Sequence, residues 1–414
     1  MLKRSSFWKA FGPGVLFAGT AIGVSHLVQS TRAGADYGYS LVWAIILANV
    51  LKYPFFEFGT RYAHATQTSL LAGYHKLGKL PIWLYVVVTV SSMFTVTAAV
   101  TYVTVALIAS ISGFTSSAAL LIQVVVLYIL IVGGLVVGQF KRLDQAIKII
   151  AGTFVIALVV AVVALAFNQP PHKIQPQLTT VFHDHSKLIF VIALMGWMPT
   201  AIDLSAWNSI WTIERTKSEK ERPTLKEVLL DFKIGYWISA VLALVFLVLG
   251  AELMFFQGTT FPKAPAAFSA TLIELFSAQV GAWSYTFVAI AAIGVMLSTS
   301  ITVFDGYARV MSITSGMLGR SSHLRSYATW LFITAVGGLI VIFFFNQQLT
   351  KLVDVATTIS FIVAPVVAIL NLKLVMAKHF PNLAKPSKFM QVWAFLGIIF
   401  LFLFAALYLF SVIS

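Results

Sequence analysis

The sequence predicts an all-α polytopic membrane protein with eleven transmembrane helices, the first and sixth of them discontinuous. Three observations lead there. Of 414 residues, 59% are hydrophobic and only 10% are charged, and the mean hydropathy is +0.91, which is the composition of a chain that lives in lipid. Apolar runs long enough to cross a bilayer recur from end to end, divided by polar connectors. Two of those runs carry glycine or proline near their centres, where freed backbone is tolerated only against protein or a water-lined cavity.

The charge pattern supports the same reading. Lys and Arg number 28 against 14 Asp and Glu, for a net charge of +14. With the N-terminus placed in the cytoplasm, the outer segments hold only Arg32, Lys173, Lys187, Lys263 and Lys351. Lys52 lies within a span, and all other basic residues fall on the inner side. That bias predicts N-terminus in and C-terminus out, and it explains the basic balance without nucleic acid. There is no cysteine, which excludes disulfides and thiolate metal sites. Met1-Leu2-Lys3-Arg4 runs into a span with no small-residue cleavage site, so no removable signal peptide is expected. The expected setting is a bacterial inner membrane, with a monomeric chain whose partners are lipid and a small ion or solute, and with no cofactor.

The first span centres near Thr20. Gly12-Pro13-Gly14 opens it, and Gly19-Thr20-Ala21-Ile22-Gly23-Val24-Ser25-His26 interrupts it. The second, near Leu47, carries Lys52, Pro54 and Glu57. The third, near Phe94, has no Asp, Glu, His, Lys or Arg from Pro81 to Ser112. The fourth and fifth centre near Val126 and Val159. The sixth, near Met198, is broken at Gly196-Trp197-Met198-Pro199 and bears Asp203 one turn further on. A mixed-sign loop, Glu214 to Arg222, precedes Pro223 and a short helix expected from Thr224. The seventh and eighth centre near Leu242 and Ala291, the eighth carrying Ser298, Thr299, Ser300 and Thr302, then Asp305 and Arg309 at salt-bridge spacing. The ninth, tenth and eleventh centre near Phe332, Phe361 and Phe400, and Pro365 softens the tenth.

Two broken spans five apart place equivalent breaks in two five-span halves of opposite polarity. That is the punctuation of an inverted-repeat transporter with a midplane site. The division it predicts is a first repeat over 1–167, a second over 188–377, and an additional helix over 389–414.

Gly12-Pro13-Gly14, then Ala33-Gly34-Ala35-Asp36-Tyr37-Gly38-Tyr39, Leu47-Ala48-Asn49 and Arg61, resemble in type and spacing the opening of the NRAMP (natural resistance-associated macrophage protein) family. Met198-Pro199 sits where that family has Met-Pro-His. The resemblance implies a LeuT-type fold of two inverted five-helix repeats and proton-coupled transport of divalent transition metals. It also exposes departures. The family's Asp-Pro-Gly-Asn is Gly23-Val24-Ser25-His26, so its ligand aspartate is a glycine and its asparagine a histidine. Its two sixth-span histidines fall on Thr200 and Ser205, and its acidic third-span residues have no counterpart. Altered selectivity and impaired proton coupling follow as expectations.

The candidate binding residues are therefore Gly23, His26, Met198, Thr200 and Asp203. Thioether, imidazole and carboxylate from Met198, His26 and Asp203 around one cavity would suit a borderline divalent ion. Each has a plainer reading: His26 bonded to backbone, Met198 packing an irregular gap, Asp203 in an ion pair. Lys52 is the base within reach, either as a stand-in for a driving cation against Asp203 or Glu57, or as a fixed structural partner. Ser298, Ser300, Thr302 and Thr357 either line a polar path for a coupling ion, Na+ or H+, or pack helices as small residues. The competing function is a LeuT-fold carrier of a small organic or anionic solute, favoured by the lost carboxylate at Gly23. No nucleophile–base constellation or nucleotide loop points to an enzyme.

Overall fold

Long apolar segments in lipid must satisfy their backbone internally, and here they do so as helices. The computed structural model describes residues 23–138, 159, 185–218, 223–278, 281–319, 322 and 326–413. The opening half of the first span, the fifth span apart from Val159, and residues 219–222 of the charged loop lie outside the described residues. After a π-helical turn at Ser25–Ser30 come α1 (Thr31–Tyr37), α2 (Val42–Thr66), α3 (Leu70–Leu77), α4 (Lys79–Ser112) and α5 (Ser117–Val137). Then follow α6 (His185–Gly196), α7 (Leu204–Ser218), α8 (Leu225–Leu253), α9 (Pro265–Ala278), α10 (Tyr285–Met317), α11 (Tyr327–Phe344), α12 (Leu349–Met376) and α13 (Lys388–Ile413).

Among the described residues, eight helices are long and apolar enough to cross a membrane: α2, α4, α5, α8, α10, α11, α12 and α13. They fall on the second, third, fourth, seventh, eighth, ninth, tenth and eleventh expected spans. The sixth expected span is the pair α6 and α7.

Three local expectations change. The segment read as a connector from Arg61 to Lys79 contains α3, which the Ser69 hydroxyl caps by accepting from the Ala72 N–H at 3.3 Å. It buries Leu70, Leu71 and Tyr74 on one face. Helix α9 follows the short connector at 257–263 and had no place in the span count, because 14 residues are too few to cross a bilayer. Thr224 begins no short helix. It caps α8 itself through a reciprocal capping box with Glu227.

Helix α4 forms a central post, packed against α9, α10, α11 and α12. Helices α5, α11 and α13 lie at the rim, with Ile129, Leu130, Phe332, Phe343, Phe395 and Phe402 turned outward, as lipid requires. Pro54 and Pro365 sit inside α2 and α12, and both helices continue through them. Pro54 cannot donate to the Val50 carbonyl four residues back. Trp393 of α13 takes its place, its indole Nε1 donating to Val50 O at 2.9 Å. Elsewhere backbones touch directly. A Cβ on Gly34 of α1 would overlap the Leu247 carbonyl of α8, and one on Gly250 would overlap the Thr31 carbonyl. Two glycines thus face each other across one crossing, in the manner of small-residue helix contacts in membranes.

Candidate functional site at the break in the sixth span

Residues 197–203 join α6 to α7, and the Met198–Pro199 peptide is cis. The break is clamped on its flanks. Gly196 ends α6 with no room for a Cβ against the Thr357 carbonyl of α12, and the Trp197 indole donates to Ser360 Oγ at 2.9 Å.

Lys52 is fully buried. Its Nζ donates to the carbonyls of Met195, Gly196 and Thr200 at 3.1, 2.9 and 3.1 Å. An ammonium carries three donors and no acceptor, so these carbonyls saturate it. Two of them are end-of-helix carbonyls, that of Met195 also accepting from the Met198 N–H at 3.3 Å, at a helix end where the dipole favours a cation. This corrects the expected pairing. No ion pair joins Lys52 to Asp203 or Glu57. Glu57 is held by Arg61 at 2.6 Å instead, and Arg61 also donates to Ala384 O at 2.9 Å.

Asp203 occupies the position before α7, with 2% of its surface exposed. Its backbone carbonyl accepts from Tyr85 OH at 3.2 Å, but its Oδ2 has no hydrogen-bond donor among the described residues. The carboxylate lies within electrostatic reach of Lys52, Tyr74, Tyr85 and Tyr307.

His26 and Met198 face elsewhere. His26 is buried in the π-helical turn, with Ser25 Oγ 2.8 Å from Nδ1 and the Ser239 carbonyl of α8 2.9 Å from Nε2. Its ring meets Phe246 edge-on. Met198 Sδ lies 3.9 Å from Ser30 Oγ. His26, Met198 and Asp203 therefore do not surround one cavity. Both imidazole nitrogens are spent on serine and backbone, which was the plainer reading. Among the described residues no group of three or more His, Asp or Glu could hold a metal ion.

What lies between Gly23–Ser25 and the sixth-span break is a cavity of about 40 Å³, lined by Gly23, Ser25, Val96, Trp197, Thr200 and Thr299 among others. Gly23 and Thr200 share it. The room a side chain at 23 would need is already taken, since a Cβ there would stand 3.0 Å from Thr299 Cγ2. Among the described residues, no ionisable side chain appears in its lining.

The hydroxyls of α10 and α12 bond mainly to backbone. Ser300 Oγ donates to Met296 O at 2.9 Å and lies 2.9 Å from Thr104 Oγ1 of α4. Thr357 donates to Val353 O and Asp354 O. Ser298 and Thr302 are half-buried on the same helix as Ser300. These contacts fit the small-residue packing reading.

Sequence reasoning missed one cluster. Arg32 binds Asp354 through both oxygens, at 2.7 and 3.3 Å, and Gln29 at 2.9 Å, while Gln29 donates to Asp354 at 2.9 Å. The guanidinium stacks over Phe190, 4.9 Å from its centroid. The cluster ties α1, α6 and α12 together. Its only signal in the sequence was the i, i+3 spacing of Gln29 and Arg32. At the opposite end of the bundle, by chain alternation, Arg309 bridges Asp305 and Glu214 at 2.9 and 3.0 Å, and Tyr327 donates to Asp305 at 2.6 Å. The expected Asp305–Arg309 pair is there. These residues line a cavity of about 470 Å³ with Gly134, Ile210 and Ser312.

The family model described as natural resistance-associated macrophage protein-like matches residues 14–411, nearly the whole chain. The chain belongs to the NRAMP family. It is accordingly a membrane transport protein and not an enzyme. An uncharacterised protein of Pasteurella multocida (strain Pm70) is 35% identical to this NRAMP chain over 381 residues, covering 90% of it and 86% of the relative. Crystal structures of the manganese transporter of Eremococcus coleocola share the fold, with TM-scores of 0.64 and 0.67 at 15% identity. Each covers 98% of this chain and 87% of the other. Mhp1 in an inward-facing conformation shares it more distantly, with a TM-score of 0.53 at 14% identity over 97% of this chain and 90% of that one.

Proposed function

We propose that this NRAMP-family chain is a secondary active ion carrier, with a metal ion as cargo and a selectivity shifted from that of its relatives. Alternating access about the breaks of the first and sixth spans moves that cargo. The observation that carries the reading is the cavity between the breaks. At about 40 Å³ it suits an ion or a water or two, whereas pockets for small organic ligands run to roughly 300 Å³ and above. Family membership and the likeness to a manganese transporter support the metal.

The shift in selectivity follows from the lining. A carboxylate about 4 Å from a cation attracts each unit of its charge by roughly 4 kcal/mol at an effective dielectric of about 20. Glycine at 23 removes that attraction, and a divalent ion loses twice what a monovalent one does. With only hydroxyls and carbonyls left, binding is weaker and less demanding of hard divalent ions. The absence of acidic residues from Pro81 to Ser112 removes the third-span carboxylates on which family members rely, so coupling to protons is impaired. Eleven spans in two inverted repeats, N-terminus inside and C-terminus outside, complete the reading.

One observation favours a second cargo class: an uncharged lining also suits a small neutral or zwitterionic solute in a more open state of the same cavity. Uptake of Mn2+ into proteoliposomes loaded with a metal-quenched dye separates the two. Saturable quenching by the wild type, reduced at least tenfold in Thr200→Ala or Asp203→Ala, is the expected outcome. Flat traces from monodisperse wild-type protein would overturn the metal reading and turn the search to organic solutes.

A further inference from the structure

Among the described residues, Lys52 is the one fully buried lysine or arginine, and carrier chemistry leaves it unexplained. Its Nζ lies 2.9–3.1 Å from three main-chain carbonyls, those of Met195, Gly196 and Thr200. Carbonyl oxygens converging on one point, two of them from the end of a helix, can form a seat for a small cation in a membrane. Those of Gly196 and Thr200 would be costly to bury unpaired. The seat has a carboxylate near it, Asp203, whose Oδ2 is buried without a donor. Asp203 lies within electrostatic reach of the ammonium without touching it. The seat also adjoins the cargo cavity, because Thr200 contributes its carbonyl to Lys52 and lines the cavity as well.

We propose that the Lys52 ammonium is a resident cation of the sixth-span break. It fills carbonyl seats that a free monovalent cation would otherwise occupy, so the break is held in shape without a bound coupling ion. The inference uses the carrier reading only for what the break does during transport; the seat itself stands on geometry. A tethered cation cannot leave, so the break stays charged when the cargo departs. Its fixed positive charge beside the cavity also disfavours cargo of high charge, which makes Lys52 a specificity-determining residue as well as a positioning one.

The test replaces the tethered cation with free ones. Full-length wild type and Lys52→Ala, in detergent at constant ionic strength, are compared by thermal unfolding in choline, sodium, lithium and methylammonium chloride. The wild type should unfold at the same temperature in all four. Lys52→Ala should unfold lower in choline and recover by at least about 2 °C in methylammonium or sodium. If Lys52→Ala is indifferent to the cation, as the wild type is, the seat binds no free cation and the proposal falls. If Lys52→Ala cannot be purified, Lys52→Arg and Lys52→Met decide. Recovery of the arginine variant alone supports a required cation, and recovery of the neutral methionine variant at wild-type yield overturns it. No arm depends on transport. A protein that carries nothing would sink the carrier reading while leaving this result intact.

Discussion

At Gly23 the physical chemistry of one side chain decides what the site can hold. The residue lines the cavity, and Thr299 stands where its Cβ would point. Restoring an aspartate there therefore has to move a β-branched neighbour on α10. Gly23→Asp alone should lower the unfolding temperature and show no stabilisation by Mn2+. Gly23→Asp with Thr299→Ala should recover stability and gain an Mn2+-dependent upward shift, read in the same thermal scan. A single variant as stable as wild type would mean that Thr299 does not fill the vacated space. The positions that matter at this scale were visible in the sequence, but their partners were not. Pro199, Lys52, His26 and Asp203 stand out because each is expensive in lipid. Lys52 spends its charge on carbonyls, however, and carbonyls carry no residue signature. His26 was equally ambiguous, because nothing in its own stretch announces Ser239 on a helix more than two hundred residues away.

Between helices, the balance rests on main-chain groups that the side-chain pattern hides. Trp393 donates to the carbonyl that Pro54 leaves free, so Trp393→Phe should destabilise the protein by about 1–3 kcal/mol, the cost of a buried unpaired carbonyl. In a Pro54→Ala background the restored N–H can serve Val50 instead. The same tryptophan substitution should then cost markedly less, and equal costs in both backgrounds would disprove the exchange. Gly196→Ala tests the clamp at the break. Its methyl has no room against the Thr357 carbonyl, so a loss of about 1–3 kcal/mol or more is expected by chemical denaturation. Element existence was legible wherever a run was long and apolar, from α2 through α13. Short helices α3 and α9 were not, because their 8 and 14 residues lie below the length that hydropathy detects.

Across the whole molecule, two charged clusters sit at opposite ends with the break between them. Arg32, Gln29 and Asp354 join α1 to α12 and lean on Phe190 of α6. The 470 Å³ cavity opens around Asp305, Arg309 and Glu214. In this state the bundle is tied at the Arg32 end. A partly buried bidentate pair of this kind is worth about 1 kcal/mol, so Arg32→Ala should raise the open population about fivefold. The absence of cysteine from the chain makes this measurable, because a lone cysteine at Ser25, which lines the break cavity, reacts without background. A bulky thiol reagent should modify Ser25→Cys faster when Arg32→Ala is also present, and an unchanged rate would rule out the cluster as a tie. The positive-inside bias and the two broken spans conveyed a carrier-like plan from sequence. The tie itself was hidden because its halves lie more than three hundred residues apart.

The facing glycines of α1 and α8 carry a consequence for how such a chain can evolve. Where peptide planes meet with no side chains between them, neither surface can be retailored by small steps. Any residue larger than glycine at 34 or 250 pushes the two backbones apart, and no change on the other side can draw them back. Drift at the cargo cavity, where Gly23, Thr200 and Thr299 can trade volume and polarity, is cheap by comparison. A lineage built this way can exchange one cargo for another while its chassis stands still, and kinship will then be read more easily in the joints than in the pocket.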